Sequence, residues 1–160
     1  MSLMSKKSLS KKSEFAEDLG ILFERMGIPA MAGRIWGWLL VCNPPHQTAA
    51  ALADAVGASR GSVSTMARLL EQLGLIERVG LPGERSRFFR IRSGGCTELL
   101  KAKMRLTTEI RKMSERGLEL LKKESPETRR RLLEYRDFYA FFEREFPSII
   151  ERWEKERTSQ

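Results

Sequence analysis

The sequence predicts a mainly α fold with one small β-hairpin and long helices on either side of it. Three observations carry that prediction. Between Gln47 and Arg92 a short Ala-rich helix, a glycine turn, a second helix and two short strands follow one another. The strands flank Leu81-Pro82-Gly83-Glu84-Arg85-Ser86, where Pro-Gly is strong turn chemistry. From Cys96 onward, apolar residues recur at three-, four- and seven-residue intervals, the spacing of helix faces. The order of elements in 47–92 is that of a winged helix-turn-helix, which sets one helix into the DNA major groove.

Composition narrows the partners. The 160 residues suffice for one domain with an oligomerisation extension, and 41% hydrophobic with 31% charged residues is ordinary for a soluble chain. A net charge of +8 favours a polyanion. DNA, RNA and anionic membrane all qualify on charge alone. No run approaches the roughly 20 apolar residues of a membrane span, and the Ser/Lys-rich start lacks the apolar core of a secretory signal. Met1-Ser2-Leu3 reads as an added scar ahead of a start at Met4. The expected location is the cytoplasm. Cys42 and Cys96 stand far apart and His46 is the single histidine, so no zinc spacing exists and no metal or cofactor is expected. Both cysteines read as reduced, semi-buried thiols.

The elements follow in order. Residues 1–12 read as a disordered basic tail. Ser13 caps a first helix to Met26, with Phe15, Leu19, Leu22, Phe23 and Met26 on one face and Gly27 as its stop. A second helix, about Ala30 to Cys42, ends at Asn43-Pro44-Pro45 because neither proline has an N–H. Thr48 caps Ala49–Val56, Gly57 turns the chain, and Ser59 caps a helix over 60–73 that Gly74 ends. Ile76 to Gly80 and Arg87 to Arg92 form the strands. Ser93-Gly94-Gly95 is a joint. Beyond it a helix over 96–123 carries Leu99, Leu106, Met113 and Leu120 at heptad spacing, with Ile110 between them. Ser125-Pro126 opens a last helix whose Leu132, Tyr135, Tyr139, Phe142, Phe146, Ile149 and Trp153 step by 3, 4, 3, 4, 3, 4. Pro147 is expected to kink or break it.

The helix over 60–73 has a buried stripe of Val63, Met66, Ala67, Leu70 and Leu73. Its other face carries Gly61, Thr65, Arg68 and Gln72, with Arg60, Ser62 and Ser64 at the margins. Short polar side chains let the backbone approach base edges, and the helix N-terminus favours a phosphate. Arg68 reaches a guanine edge or a phosphate. The same residues would also suit a plain solvated face; what argues for DNA is the ordered company of the Gly57 turn and the basic hairpin. At the wing, period two points Arg85 and Arg87 the same way. A wing arginine suits a narrow minor groove, whereas the bland role is guarding an edge strand. Arg78, Arg90 and Arg92 read as solvated or backbone-contacting.

At these residues the chain resembles the MarR-like winged-helix regulators, and more closely their GbsR-type branch. The carriers are Ala32-Gly33-Arg34-Ile35-Trp36-Gly37-Trp38-Leu39-Leu40, Ser59-Arg60-Gly61-Ser62-Val63-Ser64, Leu69-Leu70-Glu71, Gly74-Leu75 and Pro82-Gly83-Glu84-Arg85. The match runs from about Phe15 to Arg92; beyond Gly95 it is architectural only. The resemblance implies a homodimeric transcriptional regulator, a repressor, contacting DNA through Ser59, Arg60, Ser62, Ser64, Thr65 and Arg85. One departure stands out: the family wing has Asp and two arginines, and this chain has Glu84-Arg85-Ser86 with the second arginine at 87.

One such module covers a half-site, so DNA binding predicts a dimer. The aromatic last helix suits an intersubunit seam with the first helix and the 96–123 helix. The expected division is therefore a winged helix-turn-helix domain with leading helix over 13–93 and a helical dimerisation and effector region over 94–157. Trp36, Trp38, Tyr135, Tyr139 and Trp153 have the chemistry of a cage for a quaternary ammonium effector, although core packing is the expectation for each. The alternative function is a winged-helix protein-interaction module without specific DNA binding. An enzyme is not expected, since no acidic metal cluster, phosphate loop or nucleophile–base pair is present.

Overall fold

The computed structural model describes residues 3–158, in two compact units that divide at Cys96. The first unit contains α1 (Leu3–Arg25), α2 (Ala30–Val41), β1 (His46–Thr48), α3 (Ala49–Val56), α4 (Arg60–Gln72), β2 (Ile76–Gly80) and β3 (Arg87–Ile91). The second is built from α5 (Gly95–Leu120) and α6 (Pro126–Thr158).

Local signals place the elements of the first unit. The Thr48 hydroxyl accepts the Ala51 N–H at 3.1 Å, and the Ser59 hydroxyl accepts that of Ser62 at 3.1 Å. Between the two helices Gly57 takes the left-handed conformation, φ 63° and ψ 39°, at no steric cost. Ile35, Leu52, Val63, Leu70, Leu75 and Ile76 are fully buried and form the core, with Phe89 closing it from the sheet. The sheet is three-stranded and antiparallel, in the order β1-β3-β2. Thr48 pairs with Phe88 and Gly80 with Arg87. Strand β1 was not expected. Three residues after two prolines, the last of them the cap Thr48, are too few to show any periodicity.

Two expectations for α1 are corrected. The helix runs from Leu3, so the tail expected to be disordered over 1–12 is helical from residue 3 on; Met1 and Ser2 lie outside the described residues. No glycine or proline interrupts 3–13, and the Ser13 hydroxyl donates back to the Leu9 carbonyl at 3.1 Å instead of capping a new helix. The apolar face also splits. Ala16 and Phe23 pack on α2 while Phe15, Leu22 and Met26 stay exposed. Trp36 is tilted against Phe23 with ring centroids 5.3 Å apart, and Trp38 is buried.

In the second unit α5 and α6 run antiparallel. Lys101 meets Glu154, Thr108 and Arg111 meet Glu143, and Leu132 lies where a Cβ on Gly117 would fall. Ser125 caps α6 through the Thr128 N–H at 3.2 Å. The helix continues through Pro147, so of the expected kink or break the break does not occur. Beyond the proline, buried Ile150 and the Glu154–Lys101 pair tie α6 to α5, which offsets one missing backbone hydrogen bond.

The apolar rows of both helices largely point away from each other. Leu106, Met113 and Leu120 of the heptad are exposed, Leu120 by 86%. On α6, Tyr135, Phe142, Ile149 and Trp153 are exposed together with Phe138 and Phe141, whereas Leu132, Tyr139 and Phe146 are half-buried. Core packing within the unit therefore does not account for Tyr135 or Trp153. Of the cysteines, Cys42 is half-buried and Cys96 is exposed, so Cys96 departs from its expected burial. Burial pushes the Cys42 thiol pKa up and keeps it protonated.

Candidate nucleic-acid interface

Helix α4 owes its position to its buried stripe of Val63, Ala67 and Leu70, which leaves the opposite face to solvent. Arg60, Ser64, Thr65 and Arg68 are exposed there, and Ser62 is half-buried. The Ser59 oxygen accepts the Ser62 N–H in the cap, which leaves its hydroxyl hydrogen to donate to a ligand. Thr65 donates to the Gly61 carbonyl one turn back.

The wing is shaped by a tight turn. Glu84 donates its N–H to the Leu81 carbonyl at 3.1 Å, with Pro82 and Gly83 (φ 80°) at the central positions, as in a type II turn. Arg85 lies in the loop beyond this turn, outside both strands. The period-two argument that paired it with Arg87 therefore does not apply to it. Arg87 opens β3 on the same side as Phe89, two residues on. Phe89 faces the core, and Arg87 stands past its edge.

The inner side of the sheet, the start of α3 and the start of α4 enclose a cleft of about 400 Å³. Arg60 and Ser64 come from α4, Thr48, Ala49 and Ala50 from the first turn of α3, and Ser86, Arg87 and Arg78 from the wing. Among the described residues no carboxylate lines it. Of the expected site residues, Arg60, Ser64 and Arg87 are thus brought together. Arg68 lies further along the helix and Arg85 at the wing tip.

The arginines sort into two groups by their partners. Arg90 pairs with Glu77 at 2.7 Å, and Arg78 pairs with Glu71 at 3.0 Å while stacking on the Phe89 ring. Arg60, Arg68, Arg85 and Arg87 have no carboxylate within ion-pair distance among the described residues. Of these, Arg60 and Arg87 line the same cleft, and unpaired cations so grouped favour an anionic partner. Arg78 was expected to be solvated or backbone-contacting; it is exposed, and its place in the cleft beside Arg60 and Arg87 was not read from the sequence. The signal was available, because Ile76 is buried and period two puts Arg78 on the same side. Among the described residues no group of three His, Cys, Asp or Glu side chains could hold a metal, and no helix is long and apolar enough to cross a membrane.

A helix-turn-helix with a basic cleft against a stranded wing defines the winged-helix class of regulator. The chain belongs to the MarR family of transcriptional regulators. It is 37% identical over 147 residues to the HTH-type transcriptional regulator MmpR5 of Mycobacterium tuberculosis, an alignment covering 92% of this chain and 88% of that protein. The family model for MmpR5-like MarR family transcriptional regulators matches residues 94–156. A crystal structure described as that of a transcriptional regulator superposes with a TM-score of 0.76 at 36% identity, covering 91% of this chain and 99% of the other. The family match in 94–156 corrects the expectation that likeness beyond Gly95 is architectural only. These relatives are regulators and not enzymes.

Proposed function

We propose that this chain is a homodimeric, sequence-specific DNA-binding repressor of the cytoplasm. Helix α4 enters the major groove and the wing over 81–87 lies at the minor groove. The observation that carries this reading is the carboxylate-free cleft that gathers Arg60, Ser64 and Arg87 beside an uncovered α4 face. Ser62, Ser64, Thr65 and Arg68 face base edges, Ser59 and Arg60 hold a phosphate near the helix start, and Arg85 and Arg87 follow the backbone into the minor groove. The repressor role and the kinship to the GbsR-type branch rest on the motifs at Ala32–Leu40 and Ser59–Ser64.

Dimerisation is supported by the exposed apolar faces of α5 and α6, which a monomer would leave in water. Two copies would set their recognition helices about one helical turn of DNA apart. Region 13–93 is then the reader and 94–157 the pairing and effector region. An effector would fit the crevice between α5 and α6, about 390 Å³, floored by Met104, Phe146, Pro147 and Ile150. The alternative, a protein-interaction module, would want an apolar or acidic anchor on the wing face, and arginines stand there instead.

The test is a salt titration on duplex DNA. Binding should weaken steeply, with log K falling by about 0.9 per phosphate neutralised for each tenfold rise in salt. A flat response, or no binding near physiological salt, would overturn the reading.

A further inference from the structure

We propose that Arg78 is a further DNA contact, binding a backbone phosphate from within the cleft, with Glu71 and Phe89 as its positioning residues. This rests on the DNA reading above and assigns a role to a side chain which that reading leaves out.

The guanidinium carbon of Arg78 lies 5.3 Å from the Phe89 ring centroid, and its Nε is 3.0 Å from the Glu71 carboxylate. A guanidinium carries five N–H donors in a planar fork. Glu71 engages the Nε edge, so the two terminal nitrogens remain, and the side chain is still 44% exposed. Stacking and pairing hold the fork in place before any ligand arrives, so less freedom is lost on binding.

Its surroundings specify the ligand. Arg60 and Arg87 line the same cleft, and neither has a carboxylate partner among the described residues. Glu71 compensates one of three cations. The other two charges remain, and Ser64 and Ser86 add hydroxyls around them. A planar donor fork amid excess positive charge suits phosphate oxygens, which accept two parallel N–H bonds. A residue that served only to tie β2 to α4 would leave the salt dependence of DNA binding unchanged.

The experiment uses the full chain and a fluorescent duplex of mixed sequence, titrated across salt concentrations. Arg78→Gln should bind roughly eightfold more weakly at 0.1 M salt and converge on the unmodified chain toward 1 M, its slope shallower by about 0.9. Arg78→Lys, which keeps the charge, should restore the slope. The proposal fails if Arg78→Gln keeps the unmodified slope, or if both variants lose binding alike through lost thermal stability. If the unmodified chain shows no salt-steep binding, the DNA reading falls and this assignment with it. If the unmodified chain binds steeply and Arg78→Gln matches it, the Arg78 assignment alone falls.

Discussion

Thr65 donates its hydroxyl hydrogen to the carbonyl oxygen of Gly61, 3.1 Å away and one turn earlier in α4. A threonine has one donor, and this bond commits it. What remains for a base edge is an acceptor oxygen and a methyl group, which match the amino groups of adenine or cytosine and the methyl of thymine. We expect Thr65→Val, which keeps the shape and removes the acceptor, to lose about 1–3 kcal/mol of discrimination at one base pair. Duplexes selected from a random library and then varied one base pair at a time would measure it. An unchanged preference profile would place Thr65 away from the bases.

The wing arginines should behave differently. Among the described residues neither Arg85 nor Arg87 has an acidic partner, and phosphate contacts carry no sequence information. Arg85→Ala and Arg87→Ala should each weaken binding across all sequences and make the salt slope shallower by about 0.9. Anisotropy titrations on matched and mismatched duplexes separate this from base reading, which would change one sequence more than another.

Two glycines should respond to alanine in opposite senses. A Cβ on Gly33 would lie 2.4 Å from the Leu19 carbonyl oxygen and 2.8 Å from the Gly20 Cα, both backbone atoms of α1. Gly33→Ala must therefore part the helices, and a loss of about 1–3 kcal/mol is expected. A Cβ on Gly61 would meet only the Ser59 hydroxyl at 3.9 Å. Gly61→Ala should stabilise α4 by up to about 1 kcal/mol while placing a methyl on the face proposed to meet DNA. Thermal melts and DNA titrations on both variants check this: the first should lower Tm, and the second should raise Tm and weaken binding.

Acid should loosen the α5–α6 pair through Glu143. The Arg111 guanidinium, with the Thr108 hydroxyl second, holds its carboxyl below the ordinary value of 4.5. A carboxylate whose pKa is lower when folded stabilises the fold above its unfolded pKa, and that stabilisation is lost as pH falls through the folded value. The Tm of the unmodified chain should thus hold from neutral pH down to the ordinary carboxylate value and fall below it. Glu143→Gln should melt lower at pH 7 and lose less on acidification, so that the two Tm curves converge. Parallel curves would remove Glu143 from the account.

The open faces of the second unit give a test of assembly. Leu106 on α5 and Phe142 on α6 are both exposed apolar residues. Leu106→Glu or Phe142→Glu should turn a dimer into a monomer in sedimentation and weaken binding to a two-half-site duplex far more than to a single half-site. A dimer that survived both changes would place the seam elsewhere.

Much of the reader was legible because its signals are local. The Thr48 and Ser59 caps are bonds between residues three apart, Gly57 and Gly83 take up positive φ, and Pro82 presets its own φ. Each is decided by neighbours in the chain. Strand β1 and the partners of Arg78 were not legible in the same way. The strand exists only because His46, Gln47 and Thr48 meet Arg90, Phe89 and Phe88, far along the chain. The role of Arg78 needs Glu71 and Phe89 from two other elements.

The same division runs through the long helices. Periodicity by itself determined that α5 and α6 are helices and which residues share a row, since that follows from 3.6 residues per turn. It could not say which row turns inward. The tertiary structure decided that: Leu118 and Ile150 are buried between the helices, while Leu106, Met113, Tyr135 and Trp153 are left outside. An apolar row has the same spacing whether it meets its own chain or a second one. Only the packing of one helix against another, a long-range and cooperative choice, separates the two.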